Sequence, residues 1–68
     1  MSTIETIEFE DGDTGDRAAV IVRPANTHVG LALTLENDGD IEVFLPRAAC
    51  ERLISALQDR LAAIREEP

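Results

Sequence analysis

From His28 to Glu36 the chain alternates without a break: Val29, Leu31, Leu33 and Leu35 hold one parity, and His28, Gly30, Ala32, Thr34 and Glu36 hold the other. A period of two puts the first set on one face of a β-strand and the second set on the opposite face. Ile41, Val43 and Leu45 repeat the pattern after Asn37-Asp38-Gly39, so the two runs read as a hairpin with one apolar face. Residues opposite each other in antiparallel strands share a face, which restricts the loop. A two-residue Asp38-Gly39 loop sets Leu35 against Glu42 and fails. A three-residue Asn37-Asp38-Gly39 loop sets Leu35 on Ile41, Leu33 on Val43 and Leu31 on Leu45. It also places Gly39 at the left-handed position such a loop requires. The second register is the expected one.

The flanking segments extend this hairpin into a sheet. Residues 3–9 mix Ile and Phe with Thr and Glu and run into Asp11-Gly12-Asp13-Thr14-Gly15-Asp16, a cluster of turn formers. Arg17 to Arg23 is apolar at both parities, and Pro24-Ala25-Asn26-Thr27 closes it, because proline cannot donate to a ladder. Pro46 suits the first turn of a helix. From there Cys50, Leu53, Ile54, Leu57, Leu61 and Ile64 recur at helical spacing, predicting a helix to about Glu66. The expected fold is a single α+β domain over residues 1–68. A four-stranded antiparallel meander (residues 1–45) is followed by one C-terminal amphipathic helix (residues 46–68) packed on one face, ββββα.

With 68 residues the chain buries only about 60% of the surface its unfolded form exposes, so a staple or a partner is expected. Its single cysteine, Cys50, makes no internal disulfide. Nothing resembling a signal peptide precedes it, which points to a reducing cytoplasm. The sheet face away from the helix is expected to show Ile4, Ala19, Ile21, Gly30, Ala32 and Phe44, with Val20 and Val22 as substitutes for Ala19 and Ile21 in the other phase of the second strand. That apolar surface is the expected homodimer interface.

Charge is distributed unevenly. Residues 1–45 hold ten acids against Arg17 and Arg23, while residues 46–68 hold four of each sign, so the whole net charge of −8 belongs to the sheet half. Such a chain lacks the basic footprint that binding DNA, RNA or anionic lipid requires, and no apolar run is long enough to span a membrane. In an up-and-down sheet the first and third connections lie at the same end. Glu8, Glu10, Asp11, Asp13, Asp16, Glu36, Asp38, Asp40 and Glu42 therefore gather into one acidic pole, joined by the helix end with Glu66 and Glu67. Steps of two along a strand space carboxylates at about 6.6 Å, which suits an arginine-lined channel built for phosphates.

Other chemistry finds little support. Aligning Gly39 with the invariant glycine of an EF-hand loop puts Thr34 at the first ligand position and Leu45 at the twelfth, so that motif fails and no metal site is expected. The Asp11–Asp16 loop keeps only a nonspecific cation option. His28 reads as an edge-strand residue, Cys50 as a small hydrophobe on the apolar side of the helix, and Ser55 as solvated. No nucleophile, base and orienting group fall into a catalytic pattern, and no cofactor is expected. The expected function is a small non-enzymatic protein that binds a larger protein with a basic surface. In composition alone it resembles phage-encoded inhibitors such as anti-CRISPR proteins and other nucleic-acid mimics. The alternative is a structural homodimer or accessory subunit whose acids serve solubility only.

Overall fold

The computed structural model describes residues 3–64. Strands β1 (Glu5–Glu10), β2 (Arg17–Ala25), β3 (His28–Leu35) and β4 (Gly39–Pro46) form one open antiparallel sheet in chain order, followed by helix α1 (Arg47–Ala63). This is the ββββα architecture expected from the sequence. Glu66 and Glu67 lie outside the described residues; α1 ends at Ala63, and Ile64 is already extended with its N–H donated to the Arg60 carbonyl.

Strand pairing sorts the side chains onto two faces. Val20 lies opposite Leu33 and Val22 opposite Leu31, while Ala19 and Ile21 lie opposite Thr34 and Ala32. The phase of β2 that the alternation left open is thereby fixed. One face, the leucine face, carries Ile7, Val20, Val22, Leu31, Leu33, Ile41 and Val43. The other, the arginine face, carries Glu8, Glu10, Arg17, Ala19, Ile21, Arg23, Gly30, Ala32, Thr34, Asp40, Glu42 and Phe44.

Two details of the strands differ from expectation. The β3–β4 register is offset by two residues: Leu33 faces Ile41, Leu31 faces Val43, Val29 faces Leu45, and Leu35 faces Gly39. The loop is thus Glu36-Asn37-Asp38. An offset of two preserves every face assignment, so hydrophobic alternation cannot distinguish the two registers. The turn chemistry decides. The Asp38 N–H donates to the Leu35 carbonyl at 3.0 Å, closing a four-residue turn whose third residue, Asn37, takes φ 71°. That is where a type II turn demands positive φ, and asparagine tolerates it better than most residues. Gly39 is left-handed as expected, at φ 92°, but as the first residue of β4. The second difference is that β2 continues through Pro24 to Ala25. Pro24 lies beyond Val22, the partner of the first β1 residue, so β2 is there an edge strand and its missing N–H leaves no ladder bond unmade.

The helix covers little. Pro46 is both the last residue of β4 and the N-cap of α1, with no intervening loop and no side-chain cap. The chain enters α1 from the edge strand, and the helix makes its main contacts with β4 and β3. No hydrophobic side chain among the described residues is fully buried.

Candidate functional site

Four of the nine acids predicted to form the pole, Glu8, Glu10, Asp40 and Glu42, lie on strands and a fifth, Glu36, directly follows β3; the fold treats them differently. Glu8 and Glu10 on β1 and Asp40 on β4 share the arginine face, with Ala19 and Thr34 between Glu8 and Asp40 in the same cross-strand row. Three strand spacings separate these outer strands by about 14 Å. The floor between them is made of small side chains, so a groove of about 670 Å³ opens there, lined also by Arg17 and Glu36. Glu36 closes the end of the groove: its N–H donates to the Arg17 carbonyl at 2.9 Å and its Oε1 accepts the Arg17 N–H at 3.4 Å. Among the described residues, Glu8, Glu10 and Asp40 make no ion pair. Glu42 lies further along the same face and is paired, its Oε2 accepting from Arg23 Nε at 3.2 Å.

Asp11, Asp13 and Asp16 occupy the β1–β2 loop at the same end of the sheet. Asp11 is turned into the loop itself. Its Oδ2 accepts the backbone N–H of Thr14 at 2.8 Å, the Thr14 hydroxyl at 2.9 Å and the Asp13 N–H at 3.2 Å. The Asp11 N–H donates to the Asp16 carbonyl and the Gly15 N–H to the Asp11 carbonyl, both at 2.8 Å. Asp11 therefore shapes the loop that presents Asp13 and Asp16, while Asp38 is exposed in the β3–β4 turn. The Thr14 N–H above all, and then the Thr14 hydroxyl, hold the Asp11 carboxyl below its ordinary range. A depressed carboxyl pKa contributes stability that is present above the unfolded-state value and lost as pH falls through the folded-state value. Acidification below the ordinary Asp range is thus expected to loosen this loop in the wild type. In Asp11→Ala the loop should be loose at neutral pH and insensitive to acid, as read from amide exchange at Thr14 and Gly15.

The residues expected at a homodimer interface largely share a face: Ala19, Ile21, Gly30, Ala32 and Phe44 all lie on the arginine face, and Ile4 precedes β1. Across them lies a polar bridge that sequence reasoning missed. The Arg23 guanidinium sits 5.4 Å from the Phe44 ring centroid while its Nε holds Glu42. Gly30 makes room for it, since a Cβ there would meet Arg23 Cγ at 3.2 Å and Phe44 Cε1 at 3.3 Å. An isolated glycine inside an otherwise alternating strand was the available signal for such a close approach.

A second cleft, of about 320 Å³, lies where α1 leaves the sheet, and it brings together His28 and Cys50, which sequence could not relate. Their side chains are otherwise engaged or unlinked. His28 Nδ1 is 2.9 Å from Thr27 Oγ1, Cys50 is a half-buried free thiol, and no hydrogen bond joins the two among the described residues. Arg47 and Glu51 on its rim pair with each other at 3.5 Å. Among the described residues no three His, Cys, Asp or Glu side chains are grouped to hold a metal ion, and no helix is long and apolar enough to cross a membrane. The chain matches no protein-family model, and neither characterised proteins nor solved structures show significant similarity to it.

Proposed function

We propose that this is a non-enzymatic protein-binding protein of the reducing cytoplasm whose acidic sheet end docks on an arginine- or lysine-lined surface of a larger protein. One observation carries the reading: Glu8 and Glu10 face Asp40 across a floor of Ala19 and Thr34, with Arg17 the one basic residue in the lining among the described residues. Carboxylates mounted on paired strands lose little freedom on docking, and opposed fields speed encounter and reject wrong partners. Regular carboxylate spacing favours a site that ordinarily holds a phosphate backbone, in the manner of an anti-CRISPR protein or another nucleic-acid mimic. A second reading, a structural homodimer whose acids serve solubility, is favoured by the apolar surface described below.

The test is a triple variant, Glu8→Gln, Glu10→Gln and Asp40→Asn. Exposed charges contribute about 1 kcal/mol or less each to stability, so the fold is expected to persist. A partner captured by the wild type should be released by a DNA or RNA oligonucleotide, and the triple variant should bind it at least tenfold more weakly, with a shallower salt dependence. Equal binding by the variant sinks the reading. Capture that oligonucleotide does not disturb removes the mimicry.

A further inference from the structure

We propose that the leucine face is closed by the helix of a second copy of this chain, so that the folded unit is a two-fold dimer with each helix lying on the other chain's sheet. The inference is independent of the acidic groove. It starts from an imbalance within one chain. Leu33 is 49% exposed and Ile41 60%, both on the leucine face, while on the helix Leu57 is 61% exposed and Leu61 70%. An apolar sheet face and an apolar helix stripe are the two halves of a two-layer fold, and here neither half is satisfied.

The chain's own helix does not complete that fold. Because Pro46 joins β4 to α1 without a loop, the helix starts over the edge strand and makes its main contacts with β4 and β3. Ile7, on β1, is left 51% exposed. At about 1.5 Å per residue its 17 residues measure roughly 25 Å, enough to cross a sheet whose outer strands are about 14 Å apart. The helix also lacks support of its own: it has no capping side chain and no acid in its first turn, and its Arg47–Glu51 pair runs in the less favourable order. Helices of this kind owe their stability to packing of the apolar side.

Area identifies the occupant. The chain exposes 5955 Å², whereas a compact 7.4 kDa protein exposes about 4,200 Å². Its radius of gyration is 13.6 Å against about 11 Å for a compact domain of this length. The excess of roughly 1,700 Å² per chain, taken twice, falls within the 2,000–5,000 Å² of obligate homodimers. A second copy offers the missing helix and requires the same one in return, which closes under two-fold symmetry. Charge permits the approach. Glu8, Glu10, Asp40 and Glu42 all lie on the opposite face, leaving Glu5 as the strand acid on the leucine face.

The experiment is sedimentation velocity of the full chain and three variants at concentrations from below one to tens of micromolar. The wild type is expected to sediment as a dimer. Leu33→Glu and Leu57→Glu should weaken association at least a hundredfold. Leu57 keeps the second variant decisive if the first fails to fold, because a side chain this exposed in the single chain contributes little to a monomer. Ala32→Lys, on the arginine face opposite Glu42, should remain a dimer. A wild-type monomer at tens of micromolar, folded or not, overturns the proposal. So does a dimer that Ala32→Lys dissociates and Leu57→Glu does not, which would assign the interface to the other face.

Discussion

Urea unfolding of this chain is expected to shift with protein concentration, losing about 1.4 kcal/mol of apparent stability for each tenfold dilution, as folding coupled to dimerisation requires. With a urea slope of about 2 kcal/mol per molar, the midpoint should fall by roughly half a molar or more per decade. The expectation follows from the proposed dimer together with the burial pattern: no described hydrophobic side chain is fully buried in the single chain, and in the proposed assembly the core closes when two chains meet. Circular dichroism at 0.3, 3 and 30 µM measures it. A midpoint that stays fixed over that range would mean that the sheet and its edge-mounted helix are stable alone, against the size argument and against the exposed faces. Neutralising Glu8, Glu10 and Asp40 should leave the concentration dependence in place, which separates assembly from partner binding.

What the sequence revealed and what it concealed have different physical origins. The apolar parity of β3 and β4 and the ββββα order were legible because each rests on periodicity, which buried faces enforce strictly, whereas β2, apolar at both parities, took its phase only from pairing with β3. The convergence of Glu8, Glu10, Glu36 and Asp40 was legible because a meander fixes which loops share an end. Three other features depend on geometry that periodicity does not encode. The two-residue register offset leaves every face unchanged and is decided by φ at Asn37. The inward turn of Asp11 depends on hydrogen bonds to Thr14 that any Asp in that acidic loop was equally able to make on paper. The reach of α1 is set by the absence of any residue between Pro46 and the helix. An amphipathic stripe shows that a helix packs, whereas the connection determines which sheet it can cover.

The register itself yields the second large effect. Gly39→Val and Asn37→Val are each expected to lower stability by roughly 1–3 kcal/mol, the cost of holding a β-branched residue in a sparsely populated backbone region. Gly39 sits at φ 92°, and nothing lies within 4 Å of a Cβ built there, so its effect comes from the backbone alone. Asn37 is the discriminating position. In the observed register it holds φ 71° as the third residue of the Leu35–Asp38 turn. With Leu35 on Ile41 it would instead open a three-residue loop in ordinary right-handed backbone and accept valine at little cost. Gly12→Ala serves as the control, since Gly12 has open space around it and no positive φ; it should be neutral or stabilising by up to about 1 kcal/mol. All three are compared at one fixed chain concentration in urea, so that dilution does not mimic destabilisation. A silent Asn37→Val alongside a damaging Gly39→Val, or cross-strand nuclear Overhauser contacts pairing Leu33 with Val43 instead of Ile41, would return the hairpin to the other register.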